Sequence, residues 1–124
     1  MPEPRVRLRR VYDPADPSGD GFRVLVDRVW PRGVRREELA IDAWLREVAP
    51  SDELRRWFGH RQERWDEFRR RYRSELQAPE RRQVLDELEH RARQGPLTLL
   101  FGARDAERNQ AAVIGEVLEE RLKS

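Results

Sequence analysis

Apolar and polar residues alternate at the start of the chain, where Val6 and Leu8, continued by Arg10 and Tyr12, are interleaved with Arg5, Arg7 and Arg9. Successive side chains of a strand point to opposite faces, so this period of two predicts a strand with one wet face near a sheet edge. The stretch from Asp13 to Gly21 is rich in Pro, Gly and Asp and predicts a loop, with Gly19-Asp20-Gly21 an ordinary turn. An apolar run then begins at Phe22 and predicts a second strand reaching about Val29. Arg35 to Leu39 fits a short helical turn, and Ile41 to Val48 fits strand and helix alike, with helix preferred.

Beyond Pro50 the spacing becomes helical. Ser51 and Asp52 are natural N-cap residues for a helix running to Phe58, which Gly59 would end. Trp65, Phe68, Tyr72 and Leu76 then recur every three or four residues, which draws one aromatic stripe along a second helix and assigns the four to the core. Pro79 suits the first turn of a third helix, in which Val84, Leu85, Leu88 and Ala92 share a face until Gly95-Pro96 stops it. Leu97 to Phe101 is an almost unbroken apolar run, as expected of a central strand covered on both faces. A last helix is expected from about Glu107 to Leu122, with Ile114, Val117, Leu118 and Leu122 facing inward. Strands separated by helical segments predict a single α/β domain, with helices packed on a small, at least partly parallel sheet.

Composition narrows the function classes. The 124 residues suit one domain with one core, and no internal repeat or linker divides them. Charged residues make up 40% of the chain, yet 26 basic against 24 acidic groups leave a net charge of only +2, so the balance does not favour a nucleic-acid binder. The absence of cysteine excludes disulfides, thiolate metal sites and a cysteine nucleophile, and fits a cytoplasmic protein. With two histidines, an all-protein zinc site is not expected. No apolar segment reads as a signal peptide or a membrane span. Dinucleotide and P-loop glycine patterns are missing, as are a Ser-His-Asp arrangement and HExxH.

The densest chemistry lies in Asp27-Arg28-Val29-Trp30-Pro31-Arg32-Gly33, where the second strand gives way to a turn. Strand ends that lead into loops are where α/β proteins hold ligands. If strands 22–29 and 97–103 are parallel neighbours, Arg28, Trp30 and Arg32 meet Arg104, Asp105 and Asn109 at one sheet edge, and Gly33 of the adjoining turn is a further ligand-binding candidate. The N-terminus of the last helix would add N–H groups and a dipole that attract anions. Arg28, Arg32 and Arg104 are therefore candidates for an anion, Trp30 for stacking on a planar ligand, and Asn109 for contact from the helix start. Asp27, His60 and Asp105 are the candidates for proton transfer. Each has a plain structural alternative. Asp27 could tie down Arg28 or Arg32 by a bidentate pair, Trp30 could plug the core behind Pro31, His60 could stand in solvent on its corner, and Asp105 could cap a helix with Arg104. Gly115 inside a helix points to close backbone packing or ligand approach.

The segments DRVWPRG, DAWLREVAPSDELRRWFGHRQERWDEFRRRY and TLLFGARDAERNQAAVI resemble the YeaO-like family of small bacterial proteins of unknown function. The resemblance covers nearly the whole chain and implies a single-domain cytosolic α/β protein whose biochemical role is not established. Family members carry an Asn followed by His or another polar residue near the start of the last helix; here Asn109 precedes Gln110. More distant relatives carry a Cys-His-Arg pattern in this region, and without that cysteine no thiol chemistry carries over. Three functions stand at this stage. The first is a pocket for a small anionic, planar ligand such as a nucleotide, with or without turnover. The second is a nucleic-acid accessory protein using Arg5, Arg7, Arg9 and Arg10 with Arg69, Arg70 and Arg71. The third is an interaction or regulatory module without chemistry.

Overall fold

A computed structural model describes residues 6–124, so Arg5 lies outside the described residues. Four strands, β1 (Val6–Arg10), β2 (Phe22–Leu25), β3 (Ala43–Trp44) and β4 (Leu97–Phe101), form one sheet in the order β1-β4-β2-β3. Every pairing is parallel, with Val6 and Phe22 both in register with Leu97. β1 is an edge strand and β4 a central one, in keeping with their alternating and unbroken apolar patterns. All five residues of β4 are buried, and Leu99 and Leu100 are fully so.

The helices are α1 (Asp52–Phe58), α2 (Trp65–Glu75), α3 (Pro79–Gln94) and α4 (Gln110–Lys123), with 3-10 turns at Arg46–Val48 and Gln62–Arg64. Ser51 caps α1 by accepting the Leu54 N–H at 3.2 Å, and Gly59 ends it in the left-handed region at φ 51°. Phe68 and Tyr72 of α2, with Leu76 just beyond its end, are buried, and the Tyr72 hydroxyl donates to the Val48 carbonyl. Trp65, by contrast, is only partly buried, stacked on Phe68 with ring centroids 5.7 Å apart, and so belongs to the margin of the core.

The sheet is covered unequally. One face carries Val24, Leu97, Leu99 and Phe101 against residues of all four helices. The other holds Val11, Leu25 and Leu100 under Leu39, with Trp30, Val34, Ile41 and Trp44 packed around them. Trp30 of the loop and Trp44 of the edge strand thus do the work of a helical layer. The helix preferred for Ile41–Val48 survives only as the 3-10 turn at Arg46–Val48. The Asp42 N–H donates to the Arg23 carbonyl at 2.8 Å and the Leu45 N–H to the Leu25 carbonyl at 3.0 Å, so the sheet takes Ala43–Trp44 as an edge strand. β2 also buries a charge that its sequence reading passed over. Arg23 is 7% exposed, gives its guanidinium to Asp20 and the Ala40 carbonyl, and helps hold the loop.

Two boundaries shift for local reasons. The Asp105 carboxylate accepts the N–H groups of Glu107 and Arg108, closing a turn of its own. Asn109 then caps α4 by accepting the Ala112 N–H at 2.9 Å, so the helix starts at Gln110 and not at Glu107. Gly115 lies where α4 crosses β1, and a Cβ there would make ordinary contact with the Leu8 side chain at 3.4 Å.

Candidate functional site

Parallel register brings the C-terminal ends of β2 and β4 side by side. The Val26 N–H still reaches the Leu100 carbonyl at 3.1 Å, and one residue on, the Gly102 N–H donates to Oδ2 of Asp27 at 2.8 Å. Gln110, the first residue of α4, donates its side-chain amide to the other carboxylate oxygen. A Cβ on Gly102 would stand 2.9 Å from that Oδ2, so the close approach depends on glycine. Trp44 completes the support by donating its indole N–H to the Asp27 carbonyl at 2.7 Å.

Beside this carboxyl lies a cavity of about 430 Å³. Pro31, Ala49, Pro50, Phe58 and Phe68 give it apolar surface, and Arg28, Arg32, Arg55 and Arg56 bring four guanidinium-bearing residues to its lining. Tyr12 and His60 line it as well. His60 adopts the left-handed region at φ 58°, directly after Gly59, and this tight corner sets its ring 5.9 Å from that of Phe58. Such backbone strain in a residue without a glycine's freedom recurs at functional sites.

The electrostatics are asymmetric. Asp52 accepts from Arg28 Nε at 3.0 Å and from Arg55 at 2.8 Å, and these guanidiniums, Arg55 foremost, hold its carboxyl below the ordinary range. Arg32 and Arg56 pair with no carboxylate among the described residues. Nor does Asp27 make an ion pair there, so neither Arg28 nor Arg32 holds it in the bidentate arrangement weighed above. Burial instead pushes the Asp27 carboxyl up from 3.8 to about 6, against the opposing pull of Gly102, Gln110 and the more distant Arg55 charge.

The sheet edge thus gathers Asp27, Arg28, Arg32 and His60 at one cavity, while the other candidates are engaged elsewhere. Trp30 donates its indole N–H to the Val34 carbonyl at 2.6 Å and meets Trp44 edge-on at 5.3 Å, with Arg36 over both rings. It covers the sheet and does not line the cavity. Gly33 is an exposed turn residue at φ 75°, and Arg104 is exposed outside the lining. Asp105 is occupied with its turn, whose N–H groups hold its carboxyl below the ordinary value. Asn109 is buried between the α4 cap and the Asp105 carbonyl. Tyr12, Arg55, Arg56 and Gln110 are the polar residues of the pocket that sequence reading did not single out as site candidates. The signal for the arginines was adjacency in a short helix whose cap was legible; for Gln110 it was the step beyond Asn109.

With this geometry in place, comparison with known proteins places the chain in a family. A family profile, described as the inactive DUF488-N3 subclade, matches residues 5–124. The chain belongs to this subclade. An uncharacterised protein of Mycobacterium tuberculosis is 44% identical to it over 119 residues, spanning 96% of this chain and 98% of the relative. The uncharacterised protein YeaO of Escherichia coli is 42% identical over 113 residues, spanning 91% and 96%. No solved structure matches significantly. In this DUF488-N3 chain the basic run of α2 is neutralised in place: Arg69 pairs with Glu116, and Arg70 and Arg71 both pair with Glu67. Arg7 and Arg9 flank the buried Asp20, each at 3.6 Å. Among the described residues no three His, Asp or Glu side chains are grouped as a metal ion would need. No helix among the described residues is long and apolar enough to cross a membrane.

Proposed function

We propose that this protein binds a small anionic ligand, with a phosphate or carboxylate group, in the cavity at the C-terminal edge of its sheet, and acts by holding that ligand. One observation carries the reading: Arg28, Arg32, Arg55 and Arg56 line a single partly apolar cavity of about 430 Å³, and among the described residues Arg28 and Arg55 pair with Asp52 while Arg32 and Arg56 pair with no carboxylate. That volume lies within the ~300–1,000 Å³ of small-molecule sites. An excess of cation in a part-apolar hollow attracts an anion more strongly than the same charges on open surface. The word inactive in the subclade's description favours holding over turnover. The basic face of α2 is the weaker site for a polyanion, since its arginines already have carboxylates.

The test is thermal denaturation with inorganic phosphate. Millimolar phosphate raises the Tm of the wild type, and the rise shrinks as sodium chloride increases. The double variant Arg32→Ala, Arg56→Ala loses the rise and keeps its far-UV circular dichroism. An unchanged rise in that variant would place the anion elsewhere. A second reading, acid–base catalysis, is favoured by Asp27 and His60 lining the same cavity with the carboxyl held near 6. Hydrolysis of a phosphate ester, lost in Asp27→Asn, would be its mark.

A further inference from the structure

Asp27 is the odd member of its cavity. Four arginines line the same space, yet none pairs with it among the described residues, where its hydrogen bonds come from the Gly102 N–H and the Gln110 amide. A carboxylate offers about four acceptor positions, and two remain open here. Gln110, oriented by the donation of its Nε2–H, contributes an amide oxygen as a further acceptor. The cavity therefore presents acceptors at the strand end, and elsewhere on its lining Arg32 and Arg56, which pair with no carboxylate among the described residues. A bare anion uses only the second set and is repelled by the first. A ligand that satisfies both carries hydrogen-bond donors a short distance from its charge. In parallel α/β sheets a carboxylate near a strand's C-terminal end recurrently accepts from the hydroxyls of a ribose.

Resting on the anion-site reading above, we propose that the occupant is a phosphate monoester bearing a vicinal diol, with the diol donated to Asp27 and the phosphate held by Arg32 and Arg56. Asp27 is then the residue that sets specificity. The cavity's volume of about 430 Å³ accepts a pentose phosphate or a mononucleotide.

The experiment is isothermal titration calorimetry of the full chain at pH 8 with three probes: ribose 5-phosphate, 2-deoxyribose 5-phosphate and inorganic phosphate. A hydroxyl bonded to a buried carboxylate makes ribose 5-phosphate bind at least about tenfold more tightly than its deoxy counterpart. In Asp27→Asn the ratio between the two sugars falls towards one. Equal affinity of the wild type for both sugars overturns the proposal, as does a ratio that survives in Asp27→Asn. Because the wild-type ratio needs no variant, misfolding of Asp27→Asn cannot decide the matter. Binding of all three phosphates without discrimination removes this inference and leaves the anion site standing. Failure of every probe to bind removes both.

Discussion

Replacing Asp27 with asparagine should make the protein more stable at neutral pH, although it removes a side chain with two hydrogen bonds. The carboxyl is pushed from 3.8 to about 6 by burial. At ~1.36 kcal/mol per pH unit, holding Asp27 ionised costs the fold about 3 kcal/mol. Asparagine removes the charge and keeps the shape. Its oxygen can still accept from Gly102, and Gln110 can turn its amide to accept from the new NH₂ group. Allowing for imperfect exchange of these bonds, Asp27→Asn should gain about 1–3 kcal/mol at pH 8. The sign with pH is specific. Between about pH 4 and 6 the folded protein retains a proton that the unfolded chain has released, so wild-type stability falls as pH rises through that window and levels above it. Urea denaturation at pH 4, 5, 6 and 8 should show the two proteins nearly equal at pH 4 and diverging upward. A variant less stable than wild type at pH 8, or a gap that does not change with pH, would refute the reasoning. A stabilising change at a pocket residue is what a site kept for binding, and not for folding, would show.

Other outcomes follow from the packing. Tyr72→Phe leaves the buried Val48 carbonyl without its donor and should cost about 1–3 kcal/mol in urea denaturation, with no effect on phosphate binding. Leu99→Ala, at a fully buried position of the central strand, should cost about 2–5 kcal/mol by the same measurement. Gly21→Ala drives a Cβ into the Pro96 carbonyl oxygen at a residue with φ 64°, so it should cost more than the ~1–3 kcal/mol of left-handed strain alone and lower the Tm sharply. The ratio of ribose to deoxyribose phosphate affinities should fall as pH drops below about 6, because protonated Asp27 loses acceptor capacity.

Much of the fold was legible because burial leaves a period in the sequence. The unbroken run Leu97–Phe101 marked the central strand, and the stripe Trp65, Phe68, Tyr72 and Leu76 marked the inward side of α2, although Trp65 is only partly buried. Parallel adjacency of β2 and β4, posed as a condition, places the two strand ends side by side, yet the contact it makes is Gly102 with Asp27 across 75 residues, and not the expected meeting of Trp30 with Arg104, Asp105 and Asn109. Side-chain direction was not legible. Trp30 sits in a polar turn, and nothing local says that its indole folds back four residues to the Val34 carbonyl to roof the sheet. The same holds for Trp44, which lies on a two-residue strand too short to show a period. Asp27 beside Arg28 suggested an ion pair by proximity. The structure sends Arg28 to Asp52, at the start of α1, and that partner depends on how the helix docks. Arg55 and Arg56 were hidden for a related reason, since a helix of seven residues exposes most of its surface and only its docking selects the side facing the cavity.

The most direct measurement of the central claim is a two-dimensional ¹⁵N–¹H NMR titration of the wild type with ribose 5-phosphate. The account predicts saturable shifts concentrated at Asp27, Arg32, Arg56, His60, Gly102 and Gln110, the residues that surround the cavity at the sheet edge. Shifts centred on Arg69, Arg70 and Arg71 of α2, or none at all at millimolar ligand, would contradict it.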